Sequence, residues 1–438
     1  MNNYTIEDVA TEAYLFLYPL VIMDVTMRQI MARSRIDATD PRANLFLHNH
    51  ETATDKWRSV ARPNFDTLFS SAWIDLRNGP VVVNIPPSHG RYHMFQSLDM
   101  WTDTYAVIGT RTVGQNGSRV MICSPEWRNA PLADVEQKIV CPTSTTWIIG
   151  RTFATFGDDL SSAQEFLSGV SAIATGGYAF PDIEDFEIEV SAAVAPVKQV
   201  DSLTPSQFFE YASRLVQREG LHYSDGSISL RMNLVGFVPG IDFQFSAQSD
   251  QIKEAINEAP RRALAHMRDV SNSPGKNFPC WSTSSGNIGY YGNNYMRRAT
   301  IARFGLAANP MEDAVYVSST TDSNGETLAG TRSYRLHFKP GELPPADAFW
   351  SITAYGNQGF LIPNSLNRFG IRSKDPIDLN DDGSLDVTVG PSCPPEYSFN
   401  NWIPTVDGPL DLSIRLYSPS RRYTDGDWVP PLIERLAQ

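Results

Sequence analysis

"YHMFQSLDMW", residues 92–101, decides how the fold is read, because its side chains alternate with the period of a β-strand. One face carries Tyr92, Met94, Gln96, Leu98 and Met100, and the other His93, Phe95, Ser97, Asp99 and Trp101. Similar short runs surround it between about residues 72 and 154: "PVVVNIP", "TYAVIGTRTV", "SRVMICSP" and "TTWIIGRTFA", parted by Pro, Gly, Asn and Ser. Closely spaced short strands of this kind predict a β-sandwich or barrel. Just upstream, "RPNFDTLFSSAWIDL" (62–76) sets Asn64 and Asp66 before an apolar run, where such side chains commonly bond backbone amides and form the turn that launches a strand.

On either side of these runs the pattern is helical. Residues 6–18 and 20–33 predict two helical pieces broken at Pro19, which lacks the donor a continuous helix uses. Ser162 and Glu165 fit a capping box before a short helix, and Thr204-Pro205-Ser206-Gln207 fits another, with Gly220 just past the end of a helix over 205–219. A further helix is predicted from Gln251 to about Asp269, kinked at Pro260. After Trp281 the β pattern returns in "AVYVSST", "TRSYRLHF", "AFWSITAY", "LDVTVG" and "LDLSIRLY", and Asn324-Gly325 is a hairpin signal between the first two. The reading is therefore mainly β with helical insertions (α+β), built on two β-sandwich or jelly-roll-like domains.

Composition narrows the partners. A chain of 438 residues exceeds what one core ordinarily organises, which favours two domains. The net charge of −13 repels phosphate backbones and anionic lipid, so neither nucleic acid nor membrane is an expected partner. Cys123, Cys141, Cys280 and Cys393 are scattered and form no CxxC pair, which reads as reduced thiols. The apolar stretch Ala13–Met23 is short, holds Pro19 and follows acidic rather than basic residues, unlike a secretory signal or a membrane span. A soluble cytoplasmic protein is expected, with a homo-oligomer left open.

The 62–86 and 90–114 segments together with "YPLV" (18–21) resemble the N-terminal half, and "YRLHFKPGELPPADAFWSITAYGNQGFLIPNSLNRFGI", "DGSLDV", "NWIPT" and "IRLYSP" resemble the C-terminal half, of the paired domains of unknown function 1254 and 1214. The resemblance implies N-terminal helices over 1–35, a 1254-like sandwich over 36–157, a mostly helical connection over 158–280 and a 1214-like jelly roll over 281–438. It departs from the family pattern at Phe65, where Arg is usual between Asn64 and Asp66, and at His93, where Tyr is common. Loss of that Arg favours an apolar substrate over a charged one.

Two regions carry candidate chemistry. If the His93–Asp99 face looks inward, His93, Asp99 and Asp66 form an acid/base group, with a carboxylate orienting the imidazole, and Arg62, Asn64, Trp101 and Tyr105 line the pocket. The alternative keeps that face in solvent and makes Met94, Leu98 and Met100 the core. In the second half Trp350, Tyr355, Asn364 and Arg368 combine aromatics, an amide and a guanidinium suited to a carbonyl or carboxylate, or else tie a loop to a sheet.

No metal site is expected. His48 and His50 lack a third ligand, His89 and His93 sit in a Pro- and Gly-containing segment, and "DLNDDGSLDVTV" (378–389) has Val389 where an EF-hand needs its bidentate Glu. His222, His266 and His337 stand alone and read as structural or exposed. No phosphate loop, dinucleotide motif or GxSxG elbow occurs, and the glycines of "WSTSSGNIGYYGNNY" lack dinucleotide spacing, so no cofactor is expected. The functional expectation is a cofactor-independent enzyme acting by acid/base chemistry on a small, partly apolar molecule, of lyase, isomerase or cyclase type. A small-molecule hydrolase or a non-catalytic binding protein is the alternative.

Overall fold

Strand His93–Asp99 lies inside a five-stranded sheet whose order is Leu47–His48, Thr67–Asp75, Thr145–Phe153, His93–Asp99 and Thr104–Gly109. The computed structural model describes residues 4–36, 43–58, 61–132, 134–176, 188–272, 276–283 and 287–437. Residues 284–286 of the Ser- and Gly-rich stretch lie outside them. A second sheet, ordered Gln137–Val140, Ser118–Cys123, Val81–Ile85 and Ser171–Ala174, packs on the first around Leu68, Ile74, Val83, Phe95, Ile122 and Ile148. The C-terminal sandwich joins a six-stranded sheet (Lys276–Phe278, Trp281–Thr283, Ala314–Ser319, Asp411–Pro419, Ala346–Tyr355, Gly370–Arg372) to a four-stranded one (Trp402–Pro404, Leu385–Gly390, Tyr334–Phe338, Ile433–Arg435). Its core holds Leu336, Trp350, Ile352, Leu385, Leu412 and Ile414. The predicted α+β class, mainly β with two sandwiches, is the fold observed.

All seven residues of strand His93–Asp99 are buried, so neither of its faces meets water. Phe95 enters the sandwich core, while Leu98 joins the helical core and Met94 packs with Tyr92, Phe349 and Tyr417 against the C-terminal sandwich. Half-burial fails as a rule here because this sheet is covered on its second side by helices and by a whole second domain.

Helix Ile6–Ile36 runs unbroken through Pro19, correcting the predicted break. A proline inside a helix costs about 3 kcal/mol, whereas a fully buried large apolar side chain returns about 1.5–3 kcal/mol. Every residue from Ala13 to Gln29 is buried, so packing overrides the breaker. By length and composition Ile6–Arg33 could cross a membrane; here it is covered by Pro205–Glu219, Asp250–Asn272 and Tyr295–Phe304, the second of which likewise continues through Pro260. Their shared core extends onto Trp73, Leu98 and Trp147 of the first sheet and onto Trp101 in the turn after strand His93–Asp99.

Two local expectations change. Ser162 and Glu165 lie within helix Asp158–Ser168, which starts after Gly157, so they do not cap it. Asn324-Gly325 does form a turn, with the Gly325 amide donating to the Asp322 carbonyl at 3.0 Å, and Thr321 and Thr327 pair antiparallel across it, but this pairing is short and the longer strands beyond it do not continue the hairpin. Ala314–Ser319 pairs with Asp411–Pro419, and Tyr334–Phe338 with Leu385–Gly390, in different sheets. Thr204 and Gln207 do form the reciprocal capping box that starts helix Pro205–Glu219.

Candidate active site

The turn after strand His93–Asp99 divides the two oxygens of one carboxylate between structure and chemistry. Asp99 Oδ1 accepts the backbone amides of Trp101 (2.9 Å) and Asp103 (3.0 Å), closing the turn into strand Thr104–Gly109. Asp99 Oδ2 remains, and His222 Nε2 lies 2.6 Å from it. His222 arrives from another element: helix Pro205–Glu219 ends at Gly220, whose φ of 76° is in the range open to glycine, and the chain turns back so that His222 faces the sheet. The indole Nε1 of Trp101 donates to the Gly220 carbonyl at 3.1 Å and holds that turn in place.

Asp103 and Asp225 complete a ring of carboxylates, each with an oxygen 3.9 Å from His222 Nδ1. Asp225 accepts from the Tyr295 hydroxyl at 3.0 Å, and Asp103 from the Tyr291 amide at 2.9 Å. Behind them Arg298, on helix Tyr295–Phe304, is fully buried with Nη1 3.2 Å from Asp103 Oδ2. Its guanidinium lies 5.2–5.3 Å from the ring centres of Phe16, Trp101 and Tyr295, which favour a cation in place of water. Its Nε and Nη2 have no hydrogen-bond partner among the described residues.

These charges move the acid/base groups. Burial pulls the His222 proton affinity down, but the Asp99 hydrogen bond and charge more than compensate, and the imidazole titrates above its ordinary value. Burial and then the Asp99 charge lift Asp103 above the usual carboxylate value, against the Arg298 charge. The group opens on a crevice of about 760 Å³ whose walls include Tyr105, Pro125, Val140, Pro142, Leu221 and Tyr223. Ligand atoms of Asp99, Asp103 and His222 also fall within 4.8 Å of one another, close enough to share a metal ion.

The residues expected to share one pocket fall into separate places. Asp99 and Tyr105 line this crevice, with the Tyr105 hydroxyl 3.0 Å from Thr146 Oγ1, whereas Trp101 is fully buried behind it in the helical core and does not line it. His93 is six residues along the strand from Asp99, about 20 Å at strand spacing, and only 1% exposed. Its ring packs at 5.1 Å on Phe166, and Nδ1 faces Thr110 Oγ1 at 3.2 Å, so Asp99 orients His222 rather than His93.

Asp66 is elsewhere again, fully buried between the two sandwiches. It accepts from Ser351 (2.6 Å), Tyr417 (3.0 Å) and Arg372 (3.1 Å), with Arg415 at 3.7 Å. Asn64 builds the expected turn by accepting the Asp66 amide at 2.8 Å, while its own amide donates to Tyr417. Tyr355 donates to the Pro63 carbonyl and meets Arg415, and Arg62 pairs with Asp411 at 2.7 Å. Trp350 fills the C-terminal core beside Phe338. Among the described residues Asn364 bonds only within its own loop, and Arg368 caps the Phe399 and Trp402 carbonyls, the loop-fastening alternative.

His222 escapes a reading of the sequence because its partner is 123 residues away and no spacing rule reaches that far. The signal that remains is local: Gly220, His222 and Asp225 cluster directly after the best-marked helix end in the sequence. His337 is not alone either, since its Nδ1 lies 2.8 Å from Asp386. In the EF-hand-like stretch, Asn380 and Ser384 close a turn at 2.8 Å with Gly383 at φ 82°.

Compared with known proteins, residues 43–173 match the family described as "Protein of unknown function (DUF1254)" and residues 313–421 the family described as "Protein of unknown function (DUF1214)". No curated protein matches the sequence. Among solved structures, the VPA0106 protein from Vibrio parahaemolyticus has the same fold, with a TM-score of 0.75 and 19% identity over 99% of this chain and 100% of that one. An uncharacterized protein from Burkholderia cenocepacia is 12% identical over 97% of this chain and 88% of its own, at a TM-score of 0.46. The chain belongs to the family of proteins in which an N-terminal DUF1254 region is followed by a C-terminal DUF1214 region.

Proposed function

We propose that the protein is an acid/base enzyme acting on a small, partly apolar molecule in the Asp99–His222 crevice, of lyase, isomerase or cyclase type. The observation that carries this reading is the 2.6 Å contact between Asp99 Oδ2 and His222 Nε2 at the floor of that crevice. Asp99 fixes the proton on Nε2, which leaves Nδ1 as the basic atom of the neutral ring. His222 then takes a proton from the substrate through Nδ1, and Asp99 stabilises the imidazolium that results. Asp103, lifted by burial and by the Asp99 charge, holds the proton returned to a second substrate atom, and Arg298 stabilises the carboxylate left behind. Two groups displaced from their ordinary values by named neighbours inside a concave site are what such chemistry requires.

The test is conversion. Wild type, His222→Gln and Asp99→Asn are incubated with a panel of small hydroxylated and carbonyl compounds and products are followed by mass spectrometry. Positioned acid/base groups contribute about 10²–10⁴-fold, so both variants should lose at least a hundredfold while keeping the wild-type circular dichroism. A product formed equally fast by His222→Gln, or no turnover by wild type, would remove the proposal. A metal-assisted hydrolase is the second reading, favoured by the 4.8 Å clustering of the three donors. Turnover abolished by chelation and restored by a divalent cation would select it.

A further inference from the structure

We propose that the cleft between the two sandwiches is a second binding site, for a small organic cation with an apolar body. At about 1120 Å³ this cavity is larger than the Asp99 crevice and shares no lining residue with it. Its walls come from both halves of the chain: the 86–92 loop, Thr110 and Arg111, helix Asp158–Ser168, and residues 347–349 and 418–419 of the C-terminal sandwich. A cleft of this size encloses a ligand of ordinary metabolite dimensions.

The inner wall is apolar and aromatic. Phe153 and Phe349 meet edge to face at 4.5 Å, and Phe166, Pro86 and Pro419 extend the surface they begin. Ser88 lines the cleft while only 5% exposed, and its hydroxyl has no hydrogen-bond partner among the described residues.

Charge selects the kind of ligand. Two of the cationic groups in the cleft are already neutralised, Arg91 by Asp159 at 2.8 Å and Arg111 by Asp313 at 2.9 Å. Of the remaining ionic side chains, Glu165, Glu312 and Asp347 have no ion-pair partner among the described residues, and Lys374 alone opposes them. All four are exposed, so they form a net acidic rim above an aromatic floor. An acidic rim attracts an ammonium group, and the ring faces below accept it or the apolar body attached to it. The same rim, on a chain of net charge −13, repels carboxylates and phosphates.

Calorimetric titration with three phenyl compounds that differ in charge tests this: 2-phenylethylamine, 2-phenylethanol and 3-phenylpropionate. The amine should bind saturably and at least tenfold more tightly than the alcohol, and the propionate should not bind. Combining Glu165→Gln, Glu312→Gln and Asp347→Asn should bring the amine down to the level of the alcohol. Lys374→Glu should tighten it, and Ala348→Trp, which fills the cleft, should abolish it. The proposal is overturned if the amine does not bind, binds no better than the alcohol, or keeps its affinity in the triple variant. Amine affinity unchanged by both Ala348→Trp and Lys374→Glu would place binding outside this cleft and overturn the proposal as well. The exposed-site variants decide the matter if Ala348→Trp does not fold, because they leave the packed core untouched.

Discussion

At His222 burial favours the neutral ring, yet the Asp99 hydrogen bond and charge outweigh it; at His93 only the Arg91 carbonyl opposes burial, and the ring is pushed below its ordinary value. The two shifts have opposite consequences for stability. His222 binds its proton more tightly folded than unfolded, so its contribution is complete below about pH 6.5 and is lost as pH rises through the folded value. His93 resists protonation when folded, so stability falls as pH drops below about 6.5 toward its folded value. His222→Gln should therefore lower the melting temperature most near pH 6, where breaking a largely buried ion pair costs about 3 kcal/mol, and the deficit should shrink toward pH 9. His93→Gln should behave inversely, gaining relative to wild type as the buffer is taken from pH 7 to pH 5. Melting curves across this range decide both, and a pH-independent deficit in His222→Gln would mean that its pairing with Asp99 is not ionic. At this scale the sequence is half legible. Asp99 stands out on a strand face, whereas the imidazole it serves lies beyond a helix end and outside any periodicity.

Strand His93–Asp99 pairs with Thr145–Phe153 in a register that sets Phe95 opposite Gly150. A Cβ on Gly150 would lie 2.5 Å from the Phe95 ring and 2.9 Å from Ser70 Cβ, so the absent side chain is what lets the ring lie across its neighbour. Gly150→Ala should cost about 1–3 kcal/mol through overpacking. Combining it with Phe95→Leu should recover part of that loss, and a double-mutant cycle in urea denaturation measures the coupling. Additive losses would show that the contact is relieved elsewhere. The strands themselves are readable because apolar alternation and turn residues are local properties; their partners are not. Asn324-Gly325 illustrates the limit, since its turn and the short Thr321–Thr327 pairing are legible in the sequence while the longer strands beyond them diverge into different sheets. Pro19 illustrates it again, because a breaker is read locally and a helix buried throughout is stabilised by contacts that are distant in sequence.

Between the two sandwiches, the exposed pair Arg62–Asp411 and the buried ionic cluster of Asp66 differ enough in environment to predict different roles. Arg62–Asp411 joins the halves at 2.7 Å, but the arginine side chain is 43% exposed, and such a pair is worth about 0.2–1 kcal/mol. Arg62→Ala should therefore leave the melting temperature nearly unchanged. Asp66 is fully buried and is the carboxylate that faces both Arg372, at 3.1 Å, and Arg415, at 3.7 Å. Arg372 also reaches Asp375 at 3.5 Å, whereas Arg415 has no other ion-pair partner among the described residues. Asp66→Asn would leave a buried guanidinium uncompensated, at a cost of about 3–5 kcal/mol. That is a large share of the roughly 5–15 kcal/mol by which a folded domain is stable, and it falls on the seam rather than inside either core. Each sandwich keeps its own apolar core when the seam weakens. The expected result is thus specific: wild type unfolds in one calorimetric transition, and Asp66→Asn unfolds in two, as the halves lose their coupling. One shared transition at the wild-type temperature in Asp66→Asn would show instead that apolar contacts such as Tyr92 on Phe349, at 5.5 Å, couple the domains without the buried charge.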